Sequence, residues 1–559
     1  MSKVFDIADR YIDKMAALDP IAATAFGVPG HDHEMPDRSP EGAQAEADLD
    51  KATLTELDAA PLDNERDRIA REMMTESLRL HTDTFDAREH LRGLSMLHSP
   101  IHSTRMCFDL MLRDTEEHWS NIAARMALVP TTLESYHRTL DEGLRQGMVA
   151  SKRQASETAD QCDVWSGKVA GQTSFFQGLL NGFDQAGISS ESLRRELVAG
   201  VEAANNAMAA TAHYLRETYV PGAGVRDAVG EDRYALSARV YNGVELDLRQ
   251  TYDWGWEQLA WVEGEMASTA ERILPGGGVE AAKELLESDP NRAIDGEDEF
   301  KQWMQDLQDR TISELDGTHF DIADPVKRIE ALIAPPGGAL AMYYTPPSED
   351  FSRPGRTWYP TGGKTRFPLW GEVSIAYHEG VPGHHFQLAT TNQLSAELSR
   401  FQRLMGGSSG YVEGWGLYAE RLMAELGYLE NPGYYLGMLR AQALRSARVI
   451  LDIGMHLELT IPTGQAFHPG ETWTPELGLE FINLKSHFPP DFVASEISRY
   501  LGLPGQAISY KVGERAWLDA RAAAKERKGS AFDLKQFHTQ ALDLGPMGLA
   551  QMQRELARV

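Results

Sequence analysis

Apolar residues that return every three or four positions constrain this chain most, because only an α-helix gathers such residues on one face. Leu193, Leu197, Val201, Ala204, Met208, Leu215 and Tyr219 form one such run, and Pro221-Gly222 ends it. "YDWGWEQLAWVEGEMASTAERIL" forms another, closed by "PGGG" from Pro275. The acidic, Ala-rich segments near residues 41–58 and 64–88 behave likewise. The texture changes after about residue 334. There "APPGGALAMYYTPPSEDFSRPGRTWYPTGG" alternates two β-prone pieces, "ALAMYY" and "RTWYP", with Pro/Gly turns. Helical patterning resumes at Pro368, a residue suited to the first position of a helix. A second Pro/Gly-rich loop interrupts it at 461–475. The expected fold is mainly α, with a small β element just before a helix that carries a histidine cluster. "TGGKT" at 361–365 looks like the end of a phosphate-binding loop, but Trp358 stands where the first glycine is needed, so it reads as a turn.

Composition narrows the function. The 559 residues include 54 Lys+Arg and 83 Asp+Glu, a net charge of −29. Such acidity argues against nucleic acid and anionic membranes, which are bound by Lys and Arg neutralising phosphates. Cys107 and Cys162 lie far apart without a CxxC, so neither a disulfide framework nor a cysteine-zinc site is indicated. The start, "MSKVFDIADRYIDKMAAL", lacks the apolar run of a signal peptide. No stretch approaches the ~20 apolar residues of a membrane span. The expected location is the cytoplasm.

The chemistry is concentrated in "YHEGVPGHHFQ", Tyr377 to Gln387. In the zinc-peptidase motif HExxH, two histidines one helical turn apart reach the same ion, and the glutamate between them takes a proton from the attacking water. His378 and Glu379 fit that motif, but the residue four past His378 is Pro382. On an unbroken helix His384 would point about 120° away from His378, and His385 would sit about 10 Å further along the axis. Pro382 cannot donate to the His378 carbonyl, and Gly380 and Gly383 admit unusual backbone angles. A loop-out of two residues within "GVPG" would restore a one-turn step from His378 to His384. The segment therefore reads as a stretched zinc site. A third ligand is sought in "GYVEGWGLYAERLMAEL", where Glu413 and Glu420 lie two turns apart on one face. Glu413 is preferred because Gly414 and Gly416 beside it permit a crowded, buried approach to a neighbouring helix. By contrast His31 and His33, in "GHDHE", have no partner cluster and read as solvated.

"HEGVPGHHFQ", "EGWGLYAE", "PGQAISYKVG" and "FHTQALDLGPMGLAQM" together resemble the bacterial domain-of-unknown-function 885 family, and "DPIAATAFGVPG" is in keeping. That family is similar to the gluzincin peptidases, a mostly helical group that includes oligopeptidases and dipeptidyl carboxypeptidases. The resemblance implies a large helical zincin-like fold and one zinc ion per chain. It implies His378, His384 and Glu413 as ligands and Glu379 as general base. Matching Gly383-His384 to the "GH" that ends many gluzincin motifs is what favours His384 over His385. An N-terminal helical region, 1–334, would cover the cleft of a catalytic region, 335–559, in one continuous unit. Further residues then belong near the site. Arg445 and Arg448 lie one turn apart, as do Asp452 and His456, a pair able to orient a ligand. "SRYLGLPGQAISYKVG" supplies Arg499, Tyr510 and Lys511, and Tyr510 is the candidate donor to the oxyanion. His385 and Glu420 are expected behind the ligands or in the substrate cleft.

The reading these residues favour is a zinc metallopeptidase acting on short peptides. Arg or Lys side chains gripping a C-terminal carboxylate would make it a carboxypeptidase or dipeptidyl carboxypeptidase. Two rivals stand beside it: a peptide-binding protein that keeps the cleft without turnover, and a metallohydrolase of a non-peptide amide or ester.

Overall fold

A computed structural model describes residues 2–334 and 341–559. The chain divides into two compact units, Met1–Val229 with Leu501–Leu503, and Gly230–Tyr500 with Pro504–Val559. This division falls well before the change of sequence texture at 334.

The first unit is built of helices. Its core joins the helix Glu116–Gln146, through Trp119, Met126 and Leu133, to the helix Glu191–Tyr214, through Leu197, Ala204 and Met208. Gly200 lets the two approach, since a Cβ there would lie 2.9 Å from that of Met126. The apolar run that begins at Leu193 continues past Tyr214 in a wide turn, Leu215–Tyr219, and the helical path stops at Gly222. Cys107 and Cys162 are both buried and unlinked.

In the second unit, helix α1 (Glu297–Leu315) follows strand β1 (Ala293–Asp295). Strands β2 (Ile329–Ile333), β3 (Tyr343–Thr345) and β4 (Gly355–Tyr359) form a small sheet in the order β2-β4-β3, with β2 parallel and β3 antiparallel to β4. Only the Tyr343 and Tyr344 part of "ALAMYY" is strand; its Ala339 and Leu340 lie outside the described residues. Strand β5 (Arg366–Pro368) pairs antiparallel with β1, Ala293 opposite Pro368. The expected helix start at Pro368 is thus corrected. Pro368 closes a strand, a tight turn of Leu369–Gly371 follows, and helix α2 (Val373–Glu379) begins afterwards. A proline tolerated at a helix start is equally tolerated at a strand end, where it need not donate to the ladder.

Helix α3 (His384–Gln393) comes next, then α4 (Ser409–Glu425), α5 (Pro432–His456) and α6 (Ser509–Lys528). Helix α5 is the centre of the unit: every residue from Ala441 to His456 is buried. A helix buried all round is normally apolar, yet α5 carries Arg445, Arg448, Asp452 and His456, and each must find a partner inside. Helices α4 and α6 touch backbone to backbone. A Cβ on Gly414 would lie 2.4 Å from the Gly513 Cα, and one on Gly513 would lie 2.0 Å from the Gly410 carbonyl oxygen. This contact brings Tyr510, one turn before Gly513, towards Glu413. The chain is mainly α, with a small β element that leads into the helix bearing His378. Among the described residues, no helix is long and apolar enough to cross a membrane.

Candidate metal centre

Helix α2 ends at Glu379 and α3 begins at His384, with Gly380–Gly383 between them and a cis peptide at Val381–Pro382. The hydrogen bonds give the register. Gly380 N donates to the Ala376 carbonyl at 2.9 Å, the regular four-residue step. Gly383 N then donates to the Tyr377 carbonyl at 3.0 Å, a step of six. Two residues have left the ladder. Gly383 fills the place one turn after Tyr377, and His384 fills the place one turn after His378. The element is two helices joined by a tight loop rather than one helix with a bulge.

Backbone groups released by the loop must be satisfied elsewhere. The indole Nε1 of Trp415 on α4 donates to the carbonyls of Pro382 at 2.8 Å and Gly383 at 3.2 Å. Gln308 on α1 donates to the Ala376 carbonyl at 3.1 Å and accepts from Val381 N at 3.4 Å. Neither residue carries a sequence signal for this role. Gly383 tolerates no side chain, since a Cβ would lie 2.0 Å from the His378 carbonyl oxygen.

Three donor groups converge here. His378 Nε2 lies 3.3 Å and His384 Nε2 3.5 Å from the same Glu413 oxygen, Oε2. One ligand atom from each of the three residues lies within 4.8 Å of the others, and among the described residues no other trio of metal-type side chains converges in this way. Tetrahedral zinc with bonds of about 2.0–2.2 Å spaces its ligands about 3.3–3.6 Å apart. Two imidazoles and one carboxylate, with both histidine–glutamate distances at that spacing, fit a zinc ion, and nitrogen donors disfavour magnesium or calcium.

His378 is fixed from behind. Its Nδ1 donates to Glu420 Oε1 at 2.8 Å, which leaves Nε2 free for a metal. Glu420 also accepts from the Ser374 hydroxyl, and Arg445 Nη2 lies 3.3 Å from its Oε1. Burial works against charge on both partners. The hydrogen bonds to Glu413 and Glu420 nevertheless raise His378 to about 9, and Arg445 with His378 holds Glu420 below the usual carboxylate range. Gly416 packs on the ring of His378; a Cβ there would lie 2.6 Å from Cε1. The glycines beside Glu413 point to a buried place for it, and the structure corrects that reason. Glu420 is fully buried, whereas the side chain of Glu413 is 22 % exposed. A ligand must border an open position, while the carboxylate that orients a ligand is free to lie inside. His384 Nδ1 is buried with no hydrogen-bond partner, so His384 lacks the backing that His378 has.

Glu379 is buried and feels the charges of His384, His378, Glu413 and Arg445. Burial raises its carboxyl above the usual range, and the two histidines partly offset this. Tyr510 stacks on His378, with centroids 6.4 Å apart and planes 21° apart. The guanidinium carbons of Arg448 and Arg445 lie 4.7 Å and 5.5 Å from the centre of the Tyr510 ring. Burial, followed by the charge of Glu413, raises its hydroxyl.

The remaining candidates have other partners. His385 follows His384 but is turned away: its Nε2 donates to the Val326 carbonyl at 2.7 Å, so its Nδ1 accepts from the Tyr344 hydroxyl at 2.9 Å. Burial pushes it down to about 4, so it stays neutral. Arg448 donates through Nε to Glu496 and to Tyr500 Oη, both at 3.0 Å. Arg499 bonds Glu496 at 3.1 Å and Gln506 at 2.6 Å. Lys511, fully buried, donates to Gln442 at 2.9 Å and to Glu514. Asp452 accepts from the Tyr234 hydroxyl at 2.8 Å and from Gly505 N at 2.9 Å, and His456 Nε2 donates to the Tyr500 carbonyl at 2.9 Å. Asp452, raised to about 7 by burial, and His456 thus form a buried link among α5 and its neighbours.

Fold and site together define a mainly helical protein in which two histidines of a broken helix meet a glutamate of α4. The chain belongs to the family described as "Bacterial protein of unknown function (DUF885)", whose model matches residues 20–556. The solved structure of "the putative lipoprotein from Colwellia psychrerythraea" is similar with a TM-score of 0.84 and 20 % identity, covering 100 % of this chain and 99 % of that one. A "putative lipoprotein of unknown function from Shewanella oneidensis" is similar with a TM-score of 0.74 and 18 % identity, covering 99 % of each chain. At these identities the likeness shows the fold alone. A Pyrococcus furiosus carboxypeptidase reaches a TM-score of 0.39 at 13 % identity, with 100 % of this chain and 95 % of that one covered, which is too distant to bear on fold or function. No curated protein matches the chain.

Proposed function

We propose that this chain is a zinc-dependent metallopeptidase that hydrolyses short peptides. The observation that carries the reading is the convergence of His378 Nε2 and His384 Nε2 on one oxygen of Glu413, beside the buried Glu379. His378, His384 and Glu413 hold the metal; when bound, zinc lowers the pKa of a water and polarises the carbonyl it meets. Glu379, its carboxyl raised by burial, accepts the proton of the attacking water and returns it to the leaving amine. Tyr510 donates its hydroxyl proton in a hydrogen bond to the oxyanion. Edge strand β3, packed near α3, offers backbone groups to an extended substrate.

Glu379→Gln tests the chemistry. Gln is nearly isosteric but cannot accept a proton, so the variant keeps its fold and zinc while hydrolysis of a peptide library falls by ~10²–10⁴-fold. Undiminished turnover by the zinc-loaded variant removes Glu379 from the mechanism. Retained peptide binding with no cleavage by the wild-type zinc form makes the chain a binding protein instead.

A further inference from the structure

Three buried polar atoms on the first turn of α3 have no hydrogen-bond partner among the described residues: Nδ1 of His384, and both Oε1 and Nε2 of Gln387. Gln387 closes the motif that supplies the two histidines, yet the proposed chemistry gives it no part. Its side chain is enclosed, with 1 % of the residue exposed. Buried carboxamides are almost always bonded, so a bare one beside a bare imidazole nitrogen calls for a reason.

The helix sets these two side chains together. Gln387 N donates to the Gly383 carbonyl at 3.1 Å, so the four-residue step is regular here. Residues three apart on such a turn are neighbours, and helical side chains lean back over the turn before them. For Gln387 that turn holds Gly383, which has no side chain, and His384. The other side is set by Tyr411 on α4. Its hydroxyl donates to the Gly545 carbonyl at 3.3 Å; burial raises its pKa, and the nearby Gln387 amide lowers it in part. With its proton given to Gly545, Tyr411 offers Gln387 only lone pairs, which turns Nε2 towards Tyr411 and leaves Oε1 for His384. The imidazole is complementary. His384 Nε2 faces Glu413 at 3.5 Å, and a metal held there keeps the ring proton on Nδ1.

We infer that Gln387 is the positioning residue of His384: its Oε1 accepts from Nδ1–H when Nε2 holds zinc, as Glu420 accepts from His378. The two side chains stop short of that bond as they stand, and rotation about the Gln387 side-chain torsions closes it. This inference rests on the metal centre of the peptidase reading and not on peptide cleavage, and its test separates the two.

The experiment measures zinc affinity by competition against a chelating dye for the full-length wild type, Gln387→Met and Gln387→Glu. The melting temperature of each is taken after treatment with a chelator. Met matches Gln in length but has no carboxamide acceptor, so zinc affinity should fall roughly 10- to 100-fold. Glu keeps the accepting oxygen and should hold affinity at or above that of wild type. Melting separates positioning from packing. A buried carboxamide without partners adds nothing to the metal-free fold, so chelator-treated Gln387→Met should melt no lower than wild type. Unchanged zinc affinity in Gln387→Met, or an equal loss in a folded Gln387→Glu chain, would overturn the assignment. A loss of affinity that comes with a lower melting temperature in Gln387→Met would also overturn it, and make Gln387 a packing residue. If Gln387→Met loses zinc affinity as expected but the wild type cleaves no member of a peptide library, the assignment stands and the peptidase reading fails. A wild-type chain that binds no zinc would overturn both.

Discussion

His378 is gripped at both ring nitrogens, by Glu420 at Nδ1 and by Glu413 at Nε2. Glu420→Gln keeps the shape but weakens the orientation and basicity of the imidazole, so zinc affinity should fall about 10–100-fold. Competition against a chelating dye reads that change; an unaltered affinity would separate Glu420 from the centre. The same grip has a pH signature. Without metal, His378 carries a proton up to about 9, and zinc must displace it. Zinc affinity should therefore rise from neutral pH towards about 9, with at least one proton released per ion. Calorimetry in two buffers of different ionisation enthalpy counts those protons, and uptake without proton release would contradict the assignment. His384 and His385 form an internal comparison. His384→Ala should abolish tight zinc binding, whereas His385→Ala, which loses bonds to Val326 and Tyr344, should leave most of it. The two side chains are adjacent in sequence, and residue type alone could not separate them. The separation comes from the six-residue hydrogen-bond step.

At the scale of elements, α2, the Gly380–Gly383 loop and α3 work as one device held by α4. The potential to break was legible in "GVPG", because proline and glycine state their backbone effects locally. Its clamps were not. Trp415 and Gln308 act across the fold, and nothing in their local sequence says which carbonyl they will meet. Trp415→Phe removes the donor to the Pro382 carbonyl, while Gly383 keeps the bond from Gln387 N at 3.1 Å, and should lower stability by about 1–3 kcal/mol, the cost of an unsatisfied buried carbonyl, measured by denaturant titration. Gly416 was visible as one of two glycines flanking Trp415, though not as the floor beneath His378. Gly416→Ala places a methyl group 2.6 Å from the ring, so zinc affinity should drop at least about tenfold while the helix, by propensity alone, gains. Unchanged zinc binding by that variant would mean that the imidazole does not rest where α4 supports it. Pro368 shows the opposite limit. Its preference suited a helix start, but pairing with the distant β1 decided its place, and such pairing leaves no local trace.

Across the whole molecule, helical spacing foretold the architecture well, because each run buries its own apolar face wherever it packs. Partners of polar residues inside α5 were less legible. Asp452–His456 on α5 and Lys511 on α6 had the right chemistry for a site, yet buried charges must first find partners inside the fold. A metal that binds the folded chain alone also stabilises it, by about 2.7 kcal/mol at a free concentration 100-fold above Kd. Zinc should therefore raise the melting temperature, and a chelator should lower it in wild type but not in His378→Ala. The most direct test is the zinc content of the purified chain, by elemental analysis after exposure to zinc and removal of excess ion. About one zinc per chain is expected in wild type, and none in His378→Ala or Glu413→Ala, each variant folded by circular dichroism. A wild-type chain that retains no zinc, or both variants retaining the full amount, would contradict the metal centre on which the account rests.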